Sequence, residues 1–282
     1  MMSDENPEIG QYIETCGYQT NVHDLGSGPA ILFLHGSGAG VSGYANWRGL
    51  MPIMQDKYRV VVIDEIGFGY TETPPDFEFK FMDSWNEQAI AVLDKLGIEK
   101  AHLVGNSFGG SIALQLAAKY PDRVDRVVLM GSGGVPFKVR PELVKLWGYE
   151  PSVENMKEMI SLMAFNQDLV TDDIAEMRYK ATIRPGVMET FQRVFPPPYQ
   201  RWLDAQCLPV ADIRSIEHQT LIIHGRDDRV VPVEASITLN QWIPNSQLHL
   251  FGNCGHWTMV EMKDRFIELC DWFFSEGHKA AA

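Results

Sequence analysis

Six short runs rich in Val, Ile and Leu recur along the chain: AILFLH (30–35), YRVVVID (58–64), KAHLVG (100–105), VDRVVLMG (124–131), TLIIHG (220–225) and QLHLFG (247–252). Each has the length of a strand, and stretches with helical spacing of apolar residues alternate with them. Runs this apolar are expected to be buried on both faces, as in a parallel sheet covered by helices on each side. The pattern predicts an α/β fold with a mostly parallel sheet.

Local signals fill in the frame. Residues 11–26 alternate as a hairpin would. Ser84 and Glu87 have the spacing of a capping box, Trp85, Ala89, Val92, Leu93 and Leu96 follow at helical spacing, and Gly97 ends the run. Pro232 suits a first helical position after the run at 220–225, and Met259, Lys263, Phe266, Cys270 and Phe273 trace a last helix. Residues 136–209 break the rhythm with several helical runs, PPP at 196–198 and Met156, Met159, Met163, Met177 and Met188. They are expected to form a helical cap inserted into a core made of 1–135 and 210–282. The methionines suit an adaptable apolar pocket or plain core filling.

Composition narrows the function. At 282 residues the chain suits one large domain with an insertion, and its net charge of −13 disfavours nucleic acid as a partner. The four cysteines (Cys16, Cys207, Cys254, Cys270) are scattered and fit a reduced cytoplasm. The start, MMSDENPEIG, lacks the order of a signal peptide, and no apolar run is long enough to span a bilayer. The final HKAAA has no visible role. No metal cluster or cofactor motif is apparent, so neither is expected. The sequence does not spell out the assembly, for which a homodimer is the first expectation.

One short stretch carries chemistry. In GNSFGG, Gly105-x-Ser107-x-Gly109 falls where a strand meets a helix, the setting of a nucleophile elbow. A serine there needs a base, and the base needs an orienting acid. Asp228, in GRDDRVVP, and His256, in GNCGHW, follow the last two strands in the order Ser, acid, His. All three would emerge at the carboxyl edge of the sheet. Asp227 is the competing acid, but the spacing Gly225-x-x-Asp228-x-x-x-Pro232 favours Asp228. The N–H groups of Ser37 and Phe108 would form the oxyanion hole. GAGVSG (38–43) imitates a dinucleotide fingerprint with Asp64 beyond it, yet the chain should continue as loop past Gly43, where that motif opens a helix. His35 and His224 are read as packing residues.

The elbow together with HGSGAG, NWR (46–48), WGY (147–149), MRY (177–179) and CGHW (254–257) resembles the meta-cleavage product hydrolases. These are α/β-hydrolases that cut carbon–carbon bonds in aromatic degradation. The resemblance runs through the whole chain, and it is strongest to the 2-hydroxymuconic semialdehyde hydrolase branch. It implies that Asn46, Asn106, Arg178 and Trp257 hold the dienoate end of a small-molecule substrate. It also implies that Trp147 walls the pocket for the other end. The residues alone leave Arg178, Arg184, Arg193 and Arg201 equal as candidates for the carboxylate. A carboxylesterase with the same triad and a small-molecule receptor on the same fold are the alternatives.

Overall fold

Strands β1 (Gln11–Thr15) and β2 (Tyr18–Leu25) form the expected hairpin. β3 (Ala30–Leu34), β4 (Arg59–Ile63), β5 (Ala101–Asn106), β6 (Val124–Met130), β7 (Thr220–Gly225) and β8 (Ser246–Phe251) match the six apolar runs. The computed structural model describes residues 6–276, so the first five residues and HKAAA lie outside it. All eight strands join one sheet in the order β1–β2–β4–β3–β5–β6–β7–β8, parallel from β4 to β8 and antiparallel at β1–β2 and β2–β4.

Side chains alternate across this sheet, as the pleat requires. Leu32, Leu34, Val61, Ile63, Leu103, Val127, Leu129 and Ile222 join a core on one face, with the helices Asp83–Lys95 and Phe108–Lys119. Ile31, Phe33, Val60, Val62, Val104, Val128, Leu221 and Ile223 turn to the other, where Trp47, Met51, Phe266 and Phe273 cover them. β8 departs from the expectation of double burial: it is an edge strand, and Leu250 on it is exposed.

Helix boundaries bring further corrections. The helix at 83 begins with Met82 as its N-cap, and Ser84 Oγ accepts the N–H of Lys80 at 3.0 Å, so the hydroxyl serves the preceding turn and no capping box forms. Pro232 is the N-cap and not the first residue of Val233–Trp242. The last helix divides into Thr258–Glu261 and Lys263–Glu276, with the Glu261 carboxylate drawn back to the N–H groups of Asn166 and Gly255, each at 2.7 Å.

A short helix, Gly43–Trp47, does start at Gly43, where loop was expected. It still provides no dinucleotide site. Asp64 Oδ1 accepts the Gly43 N–H at 2.6 Å, and Asn21 Nδ2 and Tyr70 N–H donate to Asp64 Oδ2, so the acid is engaged by the protein's own groups. It sits beside the N-cap Ser42, whose Oγ accepts the Ala45 N–H at 3.0 Å. Between β6 and β7 the described residues contain helices and no strand: Pro141–Trp147, Val153–Met163, Asp172–Thr182, Val187–Val194, Gln200–Gln206 and Val210–Arg214 are the α-helices. The two ends of this excursion meet, since Leu208 N–H donates to Gly134 O at 3.3 Å.

Candidate active site

β5 ends at Asn106 and the helix Phe108–Lys119 begins two residues on, which forces Ser107 to φ 54°, ψ −112°. A non-glycine residue held there is strained, and the surrounding packing must enforce it. The two flanking glycines make the turn possible. A Cβ on Gly105 would lie 2.4 Å from Gly109 O, and one on Gly109 would lie 2.3 Å from Leu34 O. The following helix points its first N–H groups toward Ser107, favouring negative charge at that spot.

Asp228 stands in the turn after β7. Its Oδ1 accepts the N–H groups of Val230 at 2.7 Å and Val231 at 2.9 Å, and its Oδ2 accepts from His256 Nδ1 at 2.7 Å. Burial works to raise the Asp228 pKa, but the imidazoles of His256 and His224 outweigh it and hold the carboxyl well below the usual range. Asp227 instead accepts from Asn253 N–H at 2.8 Å and secures the neighbouring turn. His256 is set by its own backbone, whose N–H donates to Met163 O at 2.7 Å. Ser107 and His256 line one cavity of about 50 Å³, although no hydrogen bond joins their side chains among the described residues.

Two residues near this pair were not anticipated. Gly131, at φ 51°, leaves room beside the His256 ring, where a Cβ would approach Nδ1 to 3.2 Å. His224, read as packing, lies 3.2 Å from Asp228 Oδ2. The place of Gly131 depends on which strands become neighbours, whereas the His224–Asp228 spacing of four residues is local and set by how the chain turns after β7.

Ser37, Asn46, Asn106, Arg178 and Trp257 line the same cavity, with Leu146, Tyr149, Met156, Met159 and Met163 from the helical excursion. Asn46 Nδ2 is buried and has no hydrogen-bond partner among the described residues. The Arg178 guanidinium lies 5.0 Å from the Trp257 ring centroid, and no carboxylate is within ion-pair distance of it among the described residues. Burial, then the like charge of Arg48, shift its pKa down from the ordinary arginine value. The other three candidate arginines are engaged elsewhere. Arg184 lies over Tyr70, Arg193 over Phe79 and Arg201 over Trp202, each also donating to a backbone carbonyl.

Trp147 is placed differently from the expectation. It is absent from the cavity lining, stacks on Phe195 at 4.6 Å, and donates its indole N–H to Ser37 Oγ at 3.0 Å. Its sequence neighbours Leu146 and Tyr149 line the cavity, as does Ser37, which Trp147 holds. Met177 likewise lines a second cavity of about 190 Å³ that shares Asn46, Arg178 and Trp257 with the first and has Arg48 and Lys263 in its lining. Phe108 has its side chain packed among Trp85, Phe68 and Phe195 and does not line the cavity.

Comparison with known proteins fits this geometry. The family described as alpha/beta hydrolase fold matches residues 29–156 and 154–262. The 2-hydroxymuconate semialdehyde hydrolase of Pseudomonas sp. (strain CF600) is 49% identical over 276 residues, covering 98% of this chain and 97% of that protein. The 2-hydroxy-6-oxo-2,4-heptadienoate hydrolase of Pseudomonas putida F1 is 47% identical over 274 residues, covering 97% and 99%. A meta-cleavage product hydrolase variant from Pseudomonas fluorescens IP01, solved with acetates, superposes with a TM-score of 0.95 at 48% identity, covering 96% of this chain and 99% of that one. With an elbow serine, a His–Asp pair and full-length likeness to these proteins, the chain belongs to the meta-cleavage product hydrolases of the α/β-hydrolase fold family.

Proposed function

We propose that this enzyme hydrolyses the carbon–carbon bond between carbons 5 and 6 of 2-hydroxy-6-oxo-dienoates, namely 2-hydroxymuconic semialdehyde and its 6-alkyl analogues. The products are 2-hydroxypenta-2,4-dienoate and a small carboxylic acid. The observation that carries the reading is Arg178: a guanidinium with no carboxylate partner among the described residues, in the cavity that also holds Ser107 and His256. Arginine suits bidentate binding of a carboxylate, and the unpaired Asn46 Nδ2 adds a donor for the 2-oxygen. A simple ester needs neither group.

The steps follow from this placement. Arg178, Asn46, Asn106 and Trp257 hold the dienoate end, and His256 assists proton transfer as the dienol becomes its keto tautomer. The carbonyl at carbon 6 is then attacked, by Ser107 Oγ or by a water that His256 activates. The backbone N–H groups of Ser37 and Phe108 receive the oxyanion. Electrons of the breaking bond pass through the conjugated carbons to the 2-oxygen, which takes up a proton. Carbon 5 already carries the proton it gained on ketonisation, and water supplies the hydroxyl of the new acid. Asp228 keeps the His256 ring oriented.

In this reading residues 136–209 act as a cap over a core of 1–135 and 210–282. Trp147 limits the space at carbon 6 through its hold on Ser37 in the cavity lining. The enzyme is assigned to the cytoplasm, in keeping with four free thiols. A homodimer is the proposed assembly, which light scattering tests. Among the described residues no helix is long and apolar enough to cross a membrane.

Mixing the protein with a yellow ring-fission product and following its bleaching tests the function. Rapid bleaching with equimolar acid release is expected. Ester turnover without bleaching would identify a carboxylesterase instead, and stoichiometric binding without turnover a receptor.

A further inference from the structure

His224 lies on β7, fully buried, four residues before Asp228. Its ring has a polar neighbour at each nitrogen. Nε2 lies 3.1 Å from Val231 O and 3.2 Å from Asp228 Oδ2, two acceptors with no proton of their own. Nδ1 lies 2.6 Å from the hydroxyl of Ser236, which is also fully buried. A lone pair on Nε2 would face a carbonyl and a carboxylate, so the proton belongs on Nε2. Ser236 then donates to Nδ1 and fixes that tautomer, as an outer partner commonly does for a working histidine.

We propose that His224 is a positioning residue for the reaction, acting through Asp228 as a second imidazole donor on the oxygen that orients His256. The carboxylate then has four donors: Val230 and Val231 N–H on Oδ1, His256 Nδ1 and His224 Nε2 on Oδ2. Two consequences follow. The carboxylate is held against rotation, so the His256 ring keeps one orientation while protons move through it. His224 also shares the oxygen that His256 uses, so its removal leaves that oxygen to His256 alone. Other charged groups facing this corner act elsewhere: Arg140 donates to the Asp228 backbone O at 3.0 Å, and Arg229 pairs with Glu142 at 3.8 Å.

The kinetic part of the inference rests on the dienoate reading, but its first test does not. Protein labelled with ¹⁵N-histidine is expected to show the His224 proton on Nε2, with Nδ1 accepting; a proton on Nδ1 overturns the proposal. In His224→Phe the His256 titration followed by NMR, and the acidic limb of kcat/KM on the dienoate, should both move to higher pH. kcat should fall about tenfold with KM within about twofold, as expected when a group that acts on the chemical step and not on substrate binding is lost. His224→Gln, whose amide reaches the Nε2 position as a donor, should restore most of both properties. If the Phe and Gln variants lose activity equally, or if neither moves the titration of His256, His224 is a packing residue. Should His224→Phe fail to fold, His224→Gln and Ser236→Ala decide the matter. Retained titration in the first and a shifted one in the second support the proposal, and any other pairing overturns it. Absence of dienoate turnover in the parent protein would defeat the functional reading and leave the NMR test standing.

Discussion

At the scale of single residues, the backbone of Ser107 and the surroundings of Arg178 make separable demands. Ser107 owes its φ of 54° to the turn and not to its hydroxyl, so Ser107→Ala should keep the fold and melting temperature. Its kcat should fall on the order of 10³-fold or more. A variant retaining half the activity would remove the serine from the mechanism. Arg178→Ala should impair dienoates while sparing p-nitrophenyl acetate. A charged hydrogen bond is worth about 1.5–3 kcal/mol, or roughly 10- to 100-fold in kcat/KM. Equal loss on both substrates would make Arg178 a support for its helix. Ser107, Asp228 and His256 were legible because each follows a strand in a recognisable turn, with no knowledge of packing required. The choice of Arg178 among four arginines came from resemblance, and the structure adds a reason: Arg178 lines the cavity of Ser107 and His256, whereas the other three donate to backbone carbonyls outside it.

Among the elements, strands were easier to read than helix ends, and the cause is physical. A doubly buried strand is written in its own residues, whereas a helix start depends on which distant donors and acceptors reach it. Gly43 shows this in part: Ser42 caps the helix locally, while the Gly43 N–H is taken by Asp64 from the end of β4. Trp147 is a similar case, because its stacking on Phe195 and its bond to Ser37 join elements far apart in sequence. The helix Pro141–Trp147 thereby meets the loop proposed to receive the oxyanion. Trp147→Phe keeps an aromatic ring and loses the tie to Ser37. A neutral hydrogen bond worth about 1 kcal/mol predicts a decline in kcat of about fivefold; unchanged kcat would show the loop to be held without it. Bulk at this position also bears on substrate choice. Compounds with hydrogen, methyl or a small branched alkyl at carbon 6 should exceed the 6-phenyl compound at least about tenfold in kcat/KM. Trp147→Ala should narrow that gap by helping the phenyl substrate, and comparable values in the parent would exclude Trp147 as the limit.

For the whole molecule, buried carboxyls set opposing slopes of stability against pH. Asp228 titrates lower folded than unfolded, so its contribution is present above the unfolded value and disappears as pH falls through the folded one. Asp64 and Glu65 act the other way. Burial pushes Asp64 up to about 6 and Glu65 well above its ordinary value, and neither Glu65 carboxyl oxygen has a hydrogen-bond partner among the described residues. His35 Nδ1 is 3.4 Å from Glu65 but donates to Gly36 O, and burial lowers its pKa to about 4, so the pair is neutral. The folded state thus keeps protons that the unfolded chain has released above about pH 4, and stability falls as pH rises. Glu65→Gln should reduce the decline in melting temperature between pH 5 and pH 8; an unaltered slope would assign it to other groups. A last consequence comes from the meeting of Gly134 and Leu208. The excursion leaves after β6 and returns before β7, and these strands are hydrogen-bonded neighbours, so the interruption is a parenthesis in the chain with its two brackets touching. One crossover at each bracket could therefore exchange the whole interval between relatives, leaving Ser107, Asp228 and His256 on the parental framework. Substrate range and bond-breaking chemistry would then be heritable in separate segments. A chimera with this interval from a relative that cleaves the 6-phenyl compound should gain that substrate and keep its own catalytic centre.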